Sequence, residues 1–199
     1  VNPIQFHHDP DGIPEQLRSI SAEWMSTQHG AEKGFCMGRF DPSWLRSSWV
    51  EVAWNPNERR APAFVTWVPV PGRHGWALDL TRRRENAPNG VMDFLIAKSV
   101  ESARARGDAM LSLSLSALAD VGTTAAPQEP PDQSRAFLKN HLARFYDFEG
   151  LFRWKKKFAP EFEDRYLVYP DPLSLPRVVL ALARAQSPGG LRSYLKRAA

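Results

Sequence analysis

Cysteine is almost missing from this chain, Cys36 standing alone. No internal disulfide can form, and a reducing compartment is the default expectation. The five histidines, His7, His8, His29, His74 and His141, lack the paired spacings that metal ligands need, so no metal site is expected. There is no Gly-x-Ser-x-Gly elbow and no Walker loop, which disfavours serine-hydrolase chemistry and nucleotide hydrolysis. Long apolar runs are lacking too. The longest near the C-terminus, Val178 to Ala183, is far shorter than the ~20 residues that span a bilayer, and Arg177 and Arg184 flank it. A chain that is soluble, or bound only at a membrane surface, is the expectation. No internal repeat is visible.

What is present suffices for a substantial core: 199 residues, 43% of them hydrophobic, fit one domain. The formal charge of +4 favours acidic partners such as RNA or anionic lipid without selecting one. Its distribution is more telling. Arg82, Arg83 and Arg84 form one block, and Arg153, Lys155, Lys156 and Lys157 another; a solvated face is the ordinary explanation of such runs. The chain opens on Val1 rather than methionine, as an alternative start, a processed chain or a segment of a longer protein would.

One stretch organises the rest, Trp76 to Arg106. It begins as an apolar strand, passes a basic turn with Pro88, Asn89 and Gly90, and continues as a helix. Val91, Met92, Leu95, Ile96, Ser99, Val100 and Ala103 fall on one helical stripe. The first turn of a helix carries unpaired N–H groups and the positive end of the dipole, so a phosphate or carboxylate could sit beside Asn89 and Gly90. An ordinary β-to-α connection explains the same residues.

Around this stretch the pattern predicts a helix over Glu15–Thr27 with Leu17, Ile20, Trp24 and Met25 inward. Gly30 and Gly34 end it, Phe35 to Phe40 is a candidate strand or turn, and Asp41 with Pro42 starts a local turn where Trp44 and Leu45 pack. Ser48–Trp54, Ala63–Val70 and Trp76–Leu80 read as an antiparallel meander, with Asn55, Pro56, Asn57, Pro71 and Gly72 at the connections. The helix from Val91 stops at Gly107, and Ala109–Leu115 alternates as a strand lying parallel to Trp76–Leu80. Ala119–Gln133 reads as a mobile loop and Ser134–Phe145 as a helix. Pro160 interrupts helical continuation, Arg165–Tyr169 reads as a strand, and Ser174–Ala185 as an amphipathic helix before a basic peripheral tail.

Polar residues in aromatic surroundings are the candidates for chemistry. Asp79 lies inside the apolar WALDL run and Arg82 follows three positions on. A carboxylate there could bind an ammonium group and an arginine could hold phosphate, while a structural Asp79 to Arg82 pair is the plain alternative. Glu149 with Lys155 or Lys157 repeats the pairing. Lys155 and Lys157 cannot share a helical face, so at most one points inward.

Taken together, GFCMGRFD (Gly34 to Asp41), DLTRR (Asp79 to Arg83), APNGVMDFL (Ala87 to Leu95) and FYDFEGLFRWKKKFAPEFEDRYLVYP (Phe145 to Pro170) carry a resemblance. In order and spacing the chain resembles the cytosolic C-terminal domain of bacterial phosphatidylglycerol lysyltransferases, the aminoacyl-phosphatidylglycerol synthases or multiple peptide resistance factors. The resemblance implies an α+β, GNAT-like fold: a mixed, mostly antiparallel sheet flanked by helices. The domain would cover 15–185, between an irregular segment at 1–14 and the basic tail at 186–199. It implies transfer of an aminoacyl group, lysyl foremost, from aminoacyl-tRNA to the hydroxyl of phosphatidylglycerol at the inner face of the cell membrane.

Family domains usually hold two GNAT-like halves behind membrane helices, and this chain has room for one, so a missing N-terminal half or membrane domain is an implied partner. Glu85 to Gly90 lacks the glycine-rich pyrophosphate loop of acetyl-CoA-using relatives, so the donor is expected to be aminoacyl-tRNA with no cofactor. By resemblance, Asp79 and Glu149 recognise ammonium groups or assist proton transfer, and Arg82 and Lys157 engage phosphate or developing negative charge. Arg83, Asn89, Gly90, Asp93, Tyr146, Phe148, Gly150 and Lys155 are the implied substrate-binding set, with Arg84 and Lys156 as peripheral contacts to tRNA or lipid. The competing readings are a non-catalytic GNAT-like module that binds tRNA or anionic lipid, and an aminoacyltransferase acting on an amine or another lipid.

Overall fold

β-Branched and aromatic runs broken by Asn, Pro and Gly form a meander of three antiparallel strands, β1 (Trp49–Asn55), β2 (Arg60–Val70) and β3 (Gly75–Arg83). The computed structural model describes residues 12–27, 38–116, 148–166 and 168–186. After β3 the chain crosses through α2 (Val91–Arg106) to β4 (Met110–Ser112), which pairs parallel with β3, giving the order β1-β2-β3-β4. A parallel neighbour requires such a crossover, since a tight turn cannot return the chain in the same direction. Gly75 opens β3 because a Cβ there would strike the Met110 backbone. Gly107, at φ 75°, ends α2: its amide bonds to Arg104 O and that of Asp108 to Ala103 O, the Schellman pattern.

Alternation along β2 decides which helix covers which face. Phe64 points to α1 (Ile13–Thr27), whose fully buried Leu17 and Ile20 pack with Leu45, Val50, Ala61, Phe64 and Leu80. Trp67 points the other way, donating its indole N–H to Ser99 of α2 at 3.0 Å, beside buried Leu95 and Ile96. Trp49 stacks on Trp67 at 5.5 Å, and the Arg106 guanidinium lies 3.7 Å from the Trp49 ring. Truncating Leu17 or Ile20 to alanine would cost roughly 2–5 kcal/mol, the usual loss for an emptied core site.

The chain forms two compact units, Val1–Ser114 with Leu182–Ala199, and Leu115–Ala181. In the second, α3 (Phe148–Lys156) ends in a turn where Lys157, Phe158 and Ala159 amides bond back to Trp154, Lys155 and Lys156 carbonyls. Phe152 meets Phe162 and Trp154 meets Phe158, each at 5.4 Å between ring centres. Asp171 accepts the Ser174 amide at 3.0 Å, setting a short 3-10 turn (Pro172–Ser174) ahead of α4 (Leu175–Gln186).

The structure corrects several expectations. Arg165–Tyr169 forms no strand among the described residues, and Tyr166 and Val168 are 83% and 89% exposed; aromatic and β-branched content without a partner edge does not make a strand. Leu45 packs as expected, but Trp44 is exposed, because the 3-10 turn (Trp44–Ser47) points only one of the two inward. Val100 lies at the edge of the α2 stripe and is exposed. Helix α1 starts at Ile13, inside the segment expected to be irregular, since Pro14 is tolerated in a first turn. Of the candidate strand or turn at Phe35–Phe40, Gly38–Phe40 is irregular and residues 35–37 lie outside the described residues; β4 stops at Ser112. The expected loop at Ala119–Gln133, the helix at Ser134–Phe145 and the tail beyond Pro188 lie outside the described residues.

Candidate active site

A bulge in β3 places the acidic residue. Val65 pairs with Thr81 and Trp67 with Leu78, so Thr66 alone faces both Asp79 and Leu80. Two residues opposite one is a β-bulge, and it turns a side chain out of the normal alternation. The Leu80 amide donates to Thr66 Oγ1 at 3.0 Å, which sets the Thr66 hydroxyl at the bulge opposite Asp79. The Gly38 amide supplies a bond to Asp79, and the chain at Gly38 passes so close that a Cβ would collide with the carboxylate. Burial pushes the Asp79 carboxyl above its ordinary value; the Gly38 amide, the Thr66 hydroxyl and the Arg82 charge each pull it partway back.

Arg82 sits on the α1 face of β3, paired across the sheet with Phe64. It is only 6% exposed, and its guanidinium lies 3.8 Å from the centre of the Trp24 ring on α1. A guanidinium stacked on an aromatic face has its plane oriented by the ring. Gly38, Thr66, Asp79 and Arg82 therefore form one constellation on one side of the sheet, supported by α1.

The neighbouring arginines divide sharply. Arg83 is exposed. Arg84, expected as a peripheral contact, is instead buried: Nε donates to Ala61 O, and Nη1 reaches Ser19 at 3.2 Å and Glu23 at 2.7 Å. It ties the end of β3 to α1, a correction that follows from strand alternation, since positions 82 and 84 share the buried side. Asn89 and Gly90 are exposed where the chain enters α2, Gly90 at φ 79°. Asp93 stands in the first turn of α2, so the helix already carries its own negative charge at the end expected to seat an anion.

In the second unit Glu149 is exposed in the first turn of α3 and Gly150 is partly buried beside it. Of the basic run, Lys155 points inward: it is buried and donates to Leu115 O at 2.9 Å, and burial pushes its pKa down to about 8. Lys156 and Lys157 are exposed, Lys156 lying 5.4 Å from the Phe152 ring. Of Lys155 and Lys157, at most one of which was expected to turn inward, it is Lys155 that does. Tyr146 and the Phe148 side chain lie outside the described residues. Among the described residues no cluster of His, Cys, Asp and Glu could hold a metal, and no helix is long and apolar enough to cross a membrane.

Thr66 and Gly38 were not singled out as site residues by the sequence. The available signal was small: Thr66 is the one hydroxyl in the apolar run APAFVTWVPV, and Gly38 precedes Arg39 and Phe40 in GFCMGRFD.

Residues 3–169 match the family model described as phosphatidylglycerol lysyltransferase, C-terminal. The phosphatidylglycerol lysyltransferase of Bacillus subtilis is 34% identical over 184 residues, covering 90% of this chain and 21% of that protein. The lysylphosphatidylglycerol biosynthesis bifunctional protein LysX of Mycolicibacterium gilvum is 27% identical over 191 residues, covering 92% of this chain and 17% of that one. Among solved structures, L-PGS from Bacillus licheniformis superposes with a TM-score of 0.69 at 27% identity, over 85% of this chain and 50% of that chain. The C-terminal domain of a lysylphosphatidylglycerol synthetase from Agrobacterium fabrum does so at 0.71 and 27%, over 89% and 51%. The chain thus spans about a fifth of these full-length relatives and half of the solved chains. With its meander, crossover and helix-backed sheet, this α+β chain belongs to the phosphatidylglycerol lysyltransferase C-terminal family.

Proposed function

We propose that this chain carries an aminoacyl-transfer centre that moves an aminoacyl group, lysyl foremost, from aminoacyl-tRNA to a hydroxyl of phosphatidylglycerol. The observation that carries the reading is the Asp79 carboxylate, held in the β3 bulge by Gly38 and Thr66 with Arg82 on the same face. An aminoacyl ester is already activated, so the work left to the protein is to position the acceptor, take its proton and stabilise the oxyanion. Asp79, with proton affinity raised by burial, takes the proton of the lipid hydroxyl as that oxygen attacks the ester carbonyl. The carbon–oxygen bond to the tRNA ribose breaks, and the proton passes to the departing ribose oxygen. Arg82 engages the phosphate of the head group or the developing negative charge. Within the second unit Glu149 and Lys155 are a further acidic and basic residue, and exposed Arg83 of the first unit and Lys157 of the second are contacts whose contribution falls with salt. No cofactor is assigned a role. The working place is the inner face of the cell membrane, with a second GNAT-like half or a membrane domain as partner.

The test is transfer of radiolabelled lysine or alanine from charged tRNA to phosphatidylglycerol in detergent micelles, with this chain alone. Labelled lipid supports the reading. No label, with salt-sensitive binding of charged tRNA or anionic lipid retained, supports the competing one, a binding module.

A further inference from the structure

We infer that Thr66 is the positioning residue of this acidic site: its hydroxyl is oriented by the Leu80 amide across the β3 bulge and is thereby committed to donate to Asp79. The inference deepens the reading of Asp79 as the proton acceptor and rests on it for its functional meaning.

The argument is one of hydrogen-bond inventory. A hydroxyl has one proton and two acceptor positions. The bulge takes the Leu80 amide out of register with a β2 carbonyl, and a buried amide must find a partner. Thr66 Oγ1 provides it at 3.0 Å. With the oxygen accepting from Leu80, the hydroxyl proton is left to point at the carboxylate beside it, and its effect on Asp79 is to favour the anion. Thr66 is 1% exposed, so no solvent competes for that proton. Branching at Cβ restricts the rotamer further, since the methyl and hydroxyl cannot exchange places without breaking the Leu80 bond. The Gly38 amide supports the same carboxylate from the neighbouring loop, and Arg82 is the charged side chain acting on it among the described residues. One hydroxyl thus repairs the ladder at the bulge and aims the carboxylate that the bulge presents.

Carbon-13 NMR titration of the Asp79 carboxyl in the wild type, Thr66→Val and Thr66→Ser tests the inference without requiring turnover. The expected result is a midpoint that rises in Thr66→Val and stays near wild type in Thr66→Ser, which keeps the donor. An unmoved midpoint in a folded Thr66→Val overturns it, as does an equal rise in both variants. Should Thr66→Val fail to fold, the wild type still decides. The Thr66 hydroxyl proton should be protected from exchange and shift with the same midpoint as the Asp79 carboxyl; a hydroxyl signal indifferent to that titration overturns the inference. In the transfer assay Thr66→Val should lose roughly ten- to hundredfold in rate, the loss of one charge-assisted bond, with its acid limb moved to higher pH. A wild type with the expected Thr66 to Asp79 coupling but no transfer would reject the functional reading and leave the positioning intact.

Discussion

Gly38 and Asp79 touch so closely that no other residue fits at position 38 without moving the carboxylate. The amide of Gly38 bonds to Asp79 at the same point, so the glycine both donates and leaves room. Gly38→Ala should keep the fold, since position 38 lies outside the helices and strands, and displace Asp79. A misplacement on the order of 1 Å costs about a hundredfold in rate. The check is transfer rate against thermal midpoint; an unaltered rate would remove Gly38 from the site.

The acid limb of activity follows from the direction in which Asp79 is shifted. Its carboxyl protonates above the ordinary 3.8, so the active anion should be lost at a pH higher than an exposed aspartate would show. For stability, the folded chain binds this proton more readily than the unfolded one. Stability from this group is therefore gained as pH falls through the folded midpoint towards 3.8, and the cost of the buried charge is complete above that midpoint. Asp79→Asn should abolish transfer and flatten this window. Urea unfolding at a series of pH values, wild type against variant, reads it.

Lys155 sets a second window of opposite chemistry. Burial lowers its pKa from 10.5 to about 8, so between these values the unfolded chain holds a proton that the folded chain has released. Stability from this group rises with pH across that interval, and the cost is complete below about 8. Lys155→Met should gain about 1–2 kcal/mol at neutral pH, the typical return for replacing a buried charge by an apolar side chain. Loss of transfer alongside that gain would mark the lysine as kept for function; a less stable Lys155→Met would show that its bond to Leu115 O outweighs the burial.

Glu23 holds the other end of the sheet to α1. The Glu85 amide, then the Arg84 side chain, keep its carboxyl below the ordinary value. Its stabilisation is present above the unfolded pKa and is lost as pH falls through the lower folded one. Glu23→Ala removes the carboxylate from the buried Arg84 and should cost roughly 2 kcal/mol, less than a fully buried pair because Glu23 is partly exposed. A thermal midpoint within error of wild type would show that Ser19 and Ala61 O suffice for Arg84.

Local features were the legible ones. The meander, the crossover helix and its stop at Gly107 are written in periodicity, breakers and a glycine whose positive φ few residues adopt. Asp79 and Arg82 stood out because charge inside an apolar strand is rare. Arg84 misled, because a run of three arginines looks alike along the chain while the strand sends alternate members to opposite sides. Arg165–Tyr169 misled for the converse reason, its composition suiting a sheet edge that no strand supplies among the described residues.

The amino-acid sequence by itself determined the family, the element order and the acidic and basic residues available, since these depend on local pattern and on motifs contiguous in the chain. Only the tertiary structure decided which of them act together. The bulge that sets Thr66 against Asp79, the passage of Gly38 over the carboxylate, the burial of Arg84 and the inward turn of Lys155 all depend on pairing register and packing. Register is a relation between distant segments, and a shift of one residue sends every side chain to the other face, so composition alone cannot specify it.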